Sequence, residues 1–399
     1  MLSHCDFERS PQDCLRVNVS FRKQSNALNS LSANSPASPR HAPVRLPHPV
    51  RISEQERPDG IGPLVSVLCI TYNHEKFISQ CLNGFLIQET TFPVEIIVHD
   101  DASNDRTADI VREYQLRYPQ LFRTILQTEN QYSQKRPIIG IVLPLARGKY
   151  FAYCEGDDYW TYSQKLEKQV SILSEMPELA MVSHKCAVIT EDSTEVSAFQ
   201  RLPVEAPIEY RDRNVLRSVF DHPNTWLVRN QTLSSEFLHL LSSLPMGDDP
   251  WNLFFLQNGK RGLSLRDIWS VYRQHPGGVW STLGEFQKRS QELALFVSEQ
   301  TFYAPRYTRE YHSIISDQRM TLARMIGTEL IHARMRQSLK NLRYLAKCRS
   351  AFFPVFSEIV RIMLLGICVA AYVGSKSVLR RLARHVGLSP LKTGPSPES

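Results

Sequence analysis

Between residues 64 and 190 the chain alternates two patterns of apolar and polar positions. Short unbroken apolar runs read as strands buried on both faces, and the stretches after them repeat apolar residues at helical spacing. Residues 64–72 are the first run, with Val65, Val67, Leu68 and Ile70; Phe77, Ile78, Cys81, Leu82, Phe85 and Leu86 form the helical stripe behind it. Residues 94–99 predict a second strand, followed by a helix carrying Ile110, Val111, Tyr114 and Tyr118. Residues 122–127 and 138–146 predict a third strand and a third helix. Residues 150–154 predict a fourth strand, Leu166, Val170 and Leu173 a helix stopped by Pro177, and 179–189 a further strand. Strands and helices alternating through short connections predict an α/β domain with a mostly parallel sheet flanked by helices.

The pattern fades on both sides. Residues 1–60 are rich in Ser, Pro, Asn and Arg, and residues 26–49 bury too little apolar surface to offset their ordering entropy, so a disordered arm is expected there. Residues 190–285 read as less regular, and the chain beyond is largely helical, with no internal repeat. The expected organisation is an arm (1–60), a catalytic domain (61–285) and a helical extension (286–399).

Ligands of parallel sheets bind at the carboxyl ends of the strands, and the polar clusters fall there. Thr71-Tyr72-Asn73-His74 follows the first strand, Asp100-Asp101 the second, and Glu155-Gly156-Asp157-Asp158 the fourth. Carboxylates packed as closely as Glu155, Asp157 and Asp158 repel one another unless a cation neutralises them. Hard oxygen ligands suit Mg2+ or Mn2+, which commonly arrive with a phosphate ligand. An acidic Gly-Asp-Asp loop also suits a solvated turn. Three clusters converging on one sheet edge favour a metal-dependent enzyme that uses a nucleotide.

Composition narrows the classes. The net charge of +7 over 399 residues is mild and uneven, with Lys and Arg dense towards the end, and no basic face interleaved with aromatic residues marks a nucleic-acid binder. The eight cysteines form no Cys-x-x-Cys pair and several lie in apolar runs, so they read as buried free thiols in a reducing compartment. The first residues carry no apolar core of signal-peptide length, which predicts a cytoplasmic catalytic part.

Five segments, in order, resemble the inverting glycosyltransferases of family 2, which have the GT-A fold. They are Val65-Ser-Val-Leu-Cys-Ile-Thr-Tyr-Asn73, the stretch from Glu95 to Thr107, the stretch from Gly148 to Trp160, Met246-Gly-Asp248, and Val271-Tyr-Arg-Gln-His275. The resemblance covers about residues 63–281. It implies a nucleotide-sugar donor, most simply a UDP-sugar, and a saccharide or lipid-linked acceptor. It implies that Thr71, Tyr72 and Asn73 border the nucleoside, that Asp101 accepts from the base and that Asp100 supports the loop. Asp105 is expected mainly to cap the following helix. Glu155, at a position where the family more often has Asp, is expected to reach the ribose or a metal-bound water. Asp157 is expected to ligate Mn2+ or Mg2+ with Asp158 close by, and His275 to meet the metal or the diphosphate. Asp248 is expected to be the general base that inversion requires, with Asp249 its rival. Arg273 is placed beside phosphate, and Trp251 and Trp280 either on the sugar or in the core. Thr161-Tyr162-Ser163 departs from the family's usual continuation. The Gln-x-x-Arg-Trp motif of polymerising members is absent, implying transfer of one sugar at a time.

Residues 352–373 are apolar but interrupted by Glu358 and Arg361, and Lys376, Arg380, Arg381 and Arg384 follow. The uncharged part is too short for a span, so residues 352–384 are expected to form either an interfacial anchor on an anionic inner leaflet or a helix packed on protein. Two other functions are weighed against sugar transfer. A sugar-1-phosphate nucleotidyltransferase would carry a Gly-rich loop after the first strand, and Thr71-Tyr-Asn-His-Glu-Lys76 has no glycine. A catalytically silent protein of the same fold would not need the intact acidic clusters.

Overall fold

The computed structural model describes residues 45–55, 61–191, 195–199, 207–216, 220–244, 248–303 and 306–331, and the single positions 340, 341, 344 and 355. The elements run β1 (Val50–Arg51), β2 (Val65–Thr71), α1 (Ile78–Leu86), β3 (Glu89–Thr90), β4 (Val94–Asp100), α2 (Thr107–Arg117) and β5 (Phe122–Leu126). Next come α3 (Ile139–Val142), prolonged by a 3-10 turn at Leu143–Leu145, then β6 (Tyr150–Glu155), β7 (Tyr159–Trp160), α4 (Lys165–Glu175), β8 (Leu179–Thr190) and β9 (Glu195–Phe199). They continue with β10 (Ile208–Tyr210), α5 (Asp212–Val215), a 3-10 turn at Pro223–Thr225, β11 (Leu227–Arg229), α6 (Ser235–Ser243), α7 (Asp248–Leu256) and β12 (Arg261–Gln274). Two long helices close the described chain, α8 (Glu285–Tyr303) and α9 (Thr308–Ile331).

Among the described residues one ten-stranded sheet has the order β10-β12-β8-β11-β6-β2-β4-β5, with β7 beside β12 and β9 beside β8. β6, β2, β4 and β5 are parallel, as the apolar runs predict. The chain leaves β2 through β4 and β5, then crosses back to β6 on the other side of β2. That reversal opens a crevice at the carboxyl ends of β2 and β6, where α/β sheets take ligands. The register puts Thr71 opposite Asp100 and Ile70 opposite Glu155, so the three expected clusters share one level of one edge.

The pleat divides the sheet's side chains between two cores. Leu68, Phe151 and Met181 face one core with α3, α6, α7, α8 and α9, while Val67, Cys69, Ile96 and Cys154 face the other with α1, α2 and α4. Phe296, Tyr303, Tyr307 and Tyr311 belong to the same core as Leu68 and Trp251, so the C-terminal helices α8 and α9 pack on the ten-stranded sheet.

At the amino ends of the strands, Gly148 N–H donates to Ser66 Oγ at 2.9 Å, Ser66 Oγ donates to Glu95 at 2.6 Å, and Arg147 holds Glu95 through Nε at 2.9 Å. A methyl on Gly148 would sit 2.6 Å from the Ser66 nitrogen and 2.7 Å from the Tyr150 carbonyl oxygen. These are backbone atoms of paired strands and have no room to give. Gly148→Ala is therefore expected to cost about 1–3 kcal/mol of stability by overpacking, read as a lowered denaturant midpoint.

Two expectations change. Within the expected arm, Val50–Arg51 pairs with Glu89–Thr90 because β3 offers an edge, and Ile52 is buried in the same core as Phe92; residues 1–44 and 56–60 lie outside the described residues. The stretch expected to be irregular contains β12, a strand inside the sheet, and β11, which runs antiparallel between β6 and β8. The register of β12 against β8 shifts between Ser264 and Ser270, and exposed Arg266, Asp267 and Ile268 fill the irregularity. Such a bulge interrupts the alternation that marks a strand. Residues 352–384 lie outside the described residues, Val355 excepted. Among the described residues no helix is long and apolar enough to cross a membrane.

Candidate active site

The loops after β2 and β4 are stitched together. Asn73 turns the chain with φ 55°, its N–H donates to Ser103 Oγ at 2.9 Å, and its Oδ1 accepts from Asn104 N–H at 2.8 Å. His74 N–H donates to Thr107 Oγ1 at 2.8 Å. Asp105 accepts from Glu75 N–H at 3.1 Å and from Thr107 N–H at 2.9 Å, so it joins the two loops as well as starting α2. Asp100 accepts from Ser103 N–H and Oγ, which fits loop support. Asp101 spends its oxygens on backbone N–H groups, Oδ1 on Gln131 at 2.7 Å and Oδ2 on Tyr132 at 3.0 Å. Asp101 thus holds the segment after β5. Tyr72, 40 % exposed, is the open aromatic face here, while Thr71 is buried and meets His74 Nδ1 at 3.2 Å.

The tip after β6 divides its three acids. Glu155 is half-buried and its Oε1 accepts from Tyr153 OH at 3.0 Å. Burial pushes the nearby Tyr132 phenol up, and the Glu155 charge adds to it. Asp158 points away from the crevice. Its Oδ1 accepts from Arg273 N–H at 2.9 Å and its Oδ2 from Asn224 Nδ2 at 2.9 Å, tying the tip to β12. Burial raises Asp158 well above the carboxylate range, and the Asp157 and Glu155 charges raise it further. Asp158, expected among the cofactor-binding residues, is thereby a buried strut of the tip.

Asp157 faces two imidazoles. His275 Nε2 lies 3.0 Å and His74 Nε2 3.7 Å from its Oδ2, while Oδ1 is buried without a hydrogen-bond partner. Burial raises the Asp157 carboxyl, but the hydrogen bond from His275 and the pull of both imidazoles outweigh it, leaving Asp157 below its ordinary range. Burial holds His74 below the usual imidazole range, so it is neutral near pH 7. Ligand atoms of His74, Asp157 and His275 all lie within 4.8 Å of one another. A carboxylate with an uncommitted oxygen and two imidazoles make a donor set that fits a divalent cation, and the nitrogens favour Mn2+ over Mg2+. His275 Nδ1 accepts from Gly277 N–H at 3.2 Å, so the proton sits on Nε2 and is shared with Asp157. An ion taking Nε2 requires the other tautomer, in which the proton moves to Nδ1 and Nδ1 no longer accepts from Gly277.

His74 carried no assignment in the sequence reading, although it stands inside the Thr71–His74 cluster. Arg273, expected beside phosphate, is buried. Its guanidinium donates to the Asp157 carbonyl at 3.1 Å and to Gln80 at 2.7 Å and lies 4.8 Å above Phe77, so it braces the tip from behind. Trp251 is core, edge-on to Tyr153 at 5.2 Å. Asp248 is the first residue of α7, and Met246 and Gly247 lie outside the described residues.

Residues 66–229 match the family Glycosyl transferase family 2. Over residues 66–229 the chain matches a family 2 glycosyltransferase domain. An uncharacterized protein of Mycobacterium tuberculosis is 38 % identical over 225 residues, 54 % of this chain and 60 % of that protein. The chain spans about 60 % of the length of these curated relatives. TuaG of Bacillus subtilis, a glycosyltransferase assigned provisionally to teichuronic acid biosynthesis, is 29 % identical over 141 residues, 35 % of this chain and 54 % of TuaG. In three dimensions, residues 1–349 of Staphylococcus aureus TarS superpose with a TM-score of 0.50 at 17 % identity, covering 82 % of this chain and 92 % of that one, a likeness of fold. The fold is GT-A. The glycosyltransferase domain as matched includes His74 and Asp157, while Asp248 and His275 lie beyond its end at residue 229.

Proposed function

We propose that the protein moves one sugar, with inversion, from a nucleotide-sugar donor to a hydroxyl of a saccharide or lipid-linked acceptor, with Mn2+ or Mg2+ held by Asp157, His275 and His74. A UDP-sugar is the donor the family resemblance favours. The family match supports the reaction class, and the convergence of His74, Asp157 and His275 beside the Asp100–Asp101 edge is the observation that carries the metal-dependent reading. The TuaG relationship supports an acceptor in cell-surface polysaccharide synthesis; glycolipid synthesis, and a place in the cytoplasm or peripheral on the inner face of the plasma membrane, belong to the same reading.

In this reading Tyr72 borders the nucleoside, and the loops fixed by Asn73, Asp100 and Asp101 shape its pocket. Asp158 and Arg273 hold the tip rigid so that Asp157 stays aimed into the crevice. When bound, the cation supplies Lewis-acid stabilisation of the departing diphosphate. Asp248 removes the acceptor proton as its oxygen attacks the anomeric carbon.

A donor panel tests the proposal by following release of UDP or GDP with and without added metal. Release from one UDP-sugar, faster with Mn2+ than with Mg2+ and abolished by a chelator, is the expected result. Turnover unchanged in a chelator would remove the metal, and sugar-1-phosphate-dependent release of pyrophosphate from a nucleoside triphosphate would assign the nucleotidyltransferase function instead.

A further inference from the structure

The interface between α7 and the C-terminal helices buries a carboxyl group that the proposed reaction does not use. Glu299 on α8 is fully buried and Asp249 on α7 is 6 % exposed. Glu299 Oε2 accepts from Tyr311 OH of α9 at 3.2 Å, while Oε1 has no hydrogen-bond partner. One residue beyond Asp249, the Pro250 carbonyl accepts from Tyr303 OH of α8 at 3.3 Å. The surroundings are aromatic and apolar, with Trp251, Phe296, Tyr303, Tyr307 and Tyr311 in one core. A Glu299 that is both ionised and left with an unpartnered oxygen is not tolerated in such a place. A proton on Glu299 Oε1 removes both difficulties, since it cancels one charge and gives the unpartnered oxygen a donor.

We propose that Glu299 and Asp249 share one proton across the α7–α8 contact, and that this acid pair positions the start of α7, where Asp248 stands. The inference rests on the reading of Asp248 as the base. It makes Asp249 a residue of the helix contact, and it gives the C-terminal helices a part in catalysis. Burial, then the Asp249 charge, pushes Glu299 well above the ordinary glutamate range. Among the described residues the groups facing it from neighbouring elements are Asp249 of α7 and Tyr311 of α9, with Tyr303 of its own helix close by. Burial raises both phenols, and the Glu299 charge adds to it, so they stay neutral.

The pair has a pH signature. With the folded-state pKa above the unfolded one, the protonated form favours the folded state, and its contribution is complete below the ordinary glutamate range and is lost as pH rises towards the raised value. Thermal unfolding of the full chain from pH 4 to pH 9 is the test, on wild type, Glu299→Gln, Glu299→Ala and Asp249→Asn. Wild type is expected to lose stability with rising pH through this window, and Glu299→Gln, which keeps the donor without the charge, to lose less. Asp249→Asn is expected to shrink the wild-type slope. In turnover, Glu299→Ala is expected to lower kcat about tenfold with the donor KM unchanged, and Glu299→Gln to restore it. Equal pH slopes in wild type and Glu299→Gln overturn the pair whatever the reaction is. A kcat unaffected in folded Glu299→Ala overturns the positioning role alone, and a wild-type chain inactive on every donor indicts the proposed function while the stability comparison still decides the pair.

Discussion

Replacing Asp157 with Asn is expected to lower turnover by about a thousandfold and to abolish Mn2+ binding in the absence of donor, with the fold retained. Asp157 is the sole carboxylate among the three converging ligands, and both imidazoles aim their Nε2 atoms at its Oδ2. Asn keeps the shape and one acceptor oxygen but removes the charge that a cation needs. Lewis-acid stabilisation of a leaving group is worth several kcal/mol, and about 4 kcal/mol corresponds to a factor of about a thousand. Titration calorimetry with the metal alone reads the site independently of turnover. His74→Ala is expected to weaken the same binding about ten- to a hundredfold while leaving the other two ligands in place. If Asp157→Asn bound Mn2+ with wild-type affinity, the site would be elsewhere. The substitution also has a stability sign. Asp157 is held below its ordinary range, so it stabilises the fold above that range and the contribution is lost as pH falls. The wild type is therefore expected to lose more stability than Asp157→Asn on acidification.

Much of this site was legible along the chain because its scaffold obeys simple periodicities. β2, β4 and β6 are buried on both faces, so each reads as an unbroken apolar run, and the end of a run marks the sheet edge. That logic located Asp100, Asp101, Glu155 and Asp157 together before any coordinates. It could not sort them. Asp157 and Asp158 are adjacent, yet the backbone turns one into the crevice and the other towards Asn224 and Arg273. Only the position of β12 decides which is which, and the shifted register of β12 concealed that strand. His74 was equally opaque, since its partners lie in the tip after β6 and at the end of β12. Arg273 illustrates the reverse error. A cation beside an acidic sheet edge invites a phosphate role, but the aromatic rings of Phe77 and Tyr159 lie 4.8 and 5.5 Å from its guanidinium carbon.

Asp248→Asn should separate chemistry from binding. Removing a general base typically costs a factor of about a hundred to ten thousand in turnover, so kcat is expected to fall into that range while UDP affinity, measured by calorimetry, stays at the wild-type value. The donor site proposed above lies at the loops of β2, β4 and β6, whereas Asp248 belongs to α7, which the C-terminal helices hold through Tyr303 and Pro250. Asp249→Asn is the control within the same turn. It is expected to lower kcat far less, because Asp249 is buried and, in the pair proposed above, belongs to the helix contact. The pH profile distinguishes them further, since loss of the base removes the acidic limb of kcat and loss of a contact residue leaves that limb in place. Should Asp249→Asn lose turnover and the acidic limb while Asp248→Asn keeps both, the base is Asp249, and the acid pair at the α7–α8 contact would then tune the reacting carboxylate directly.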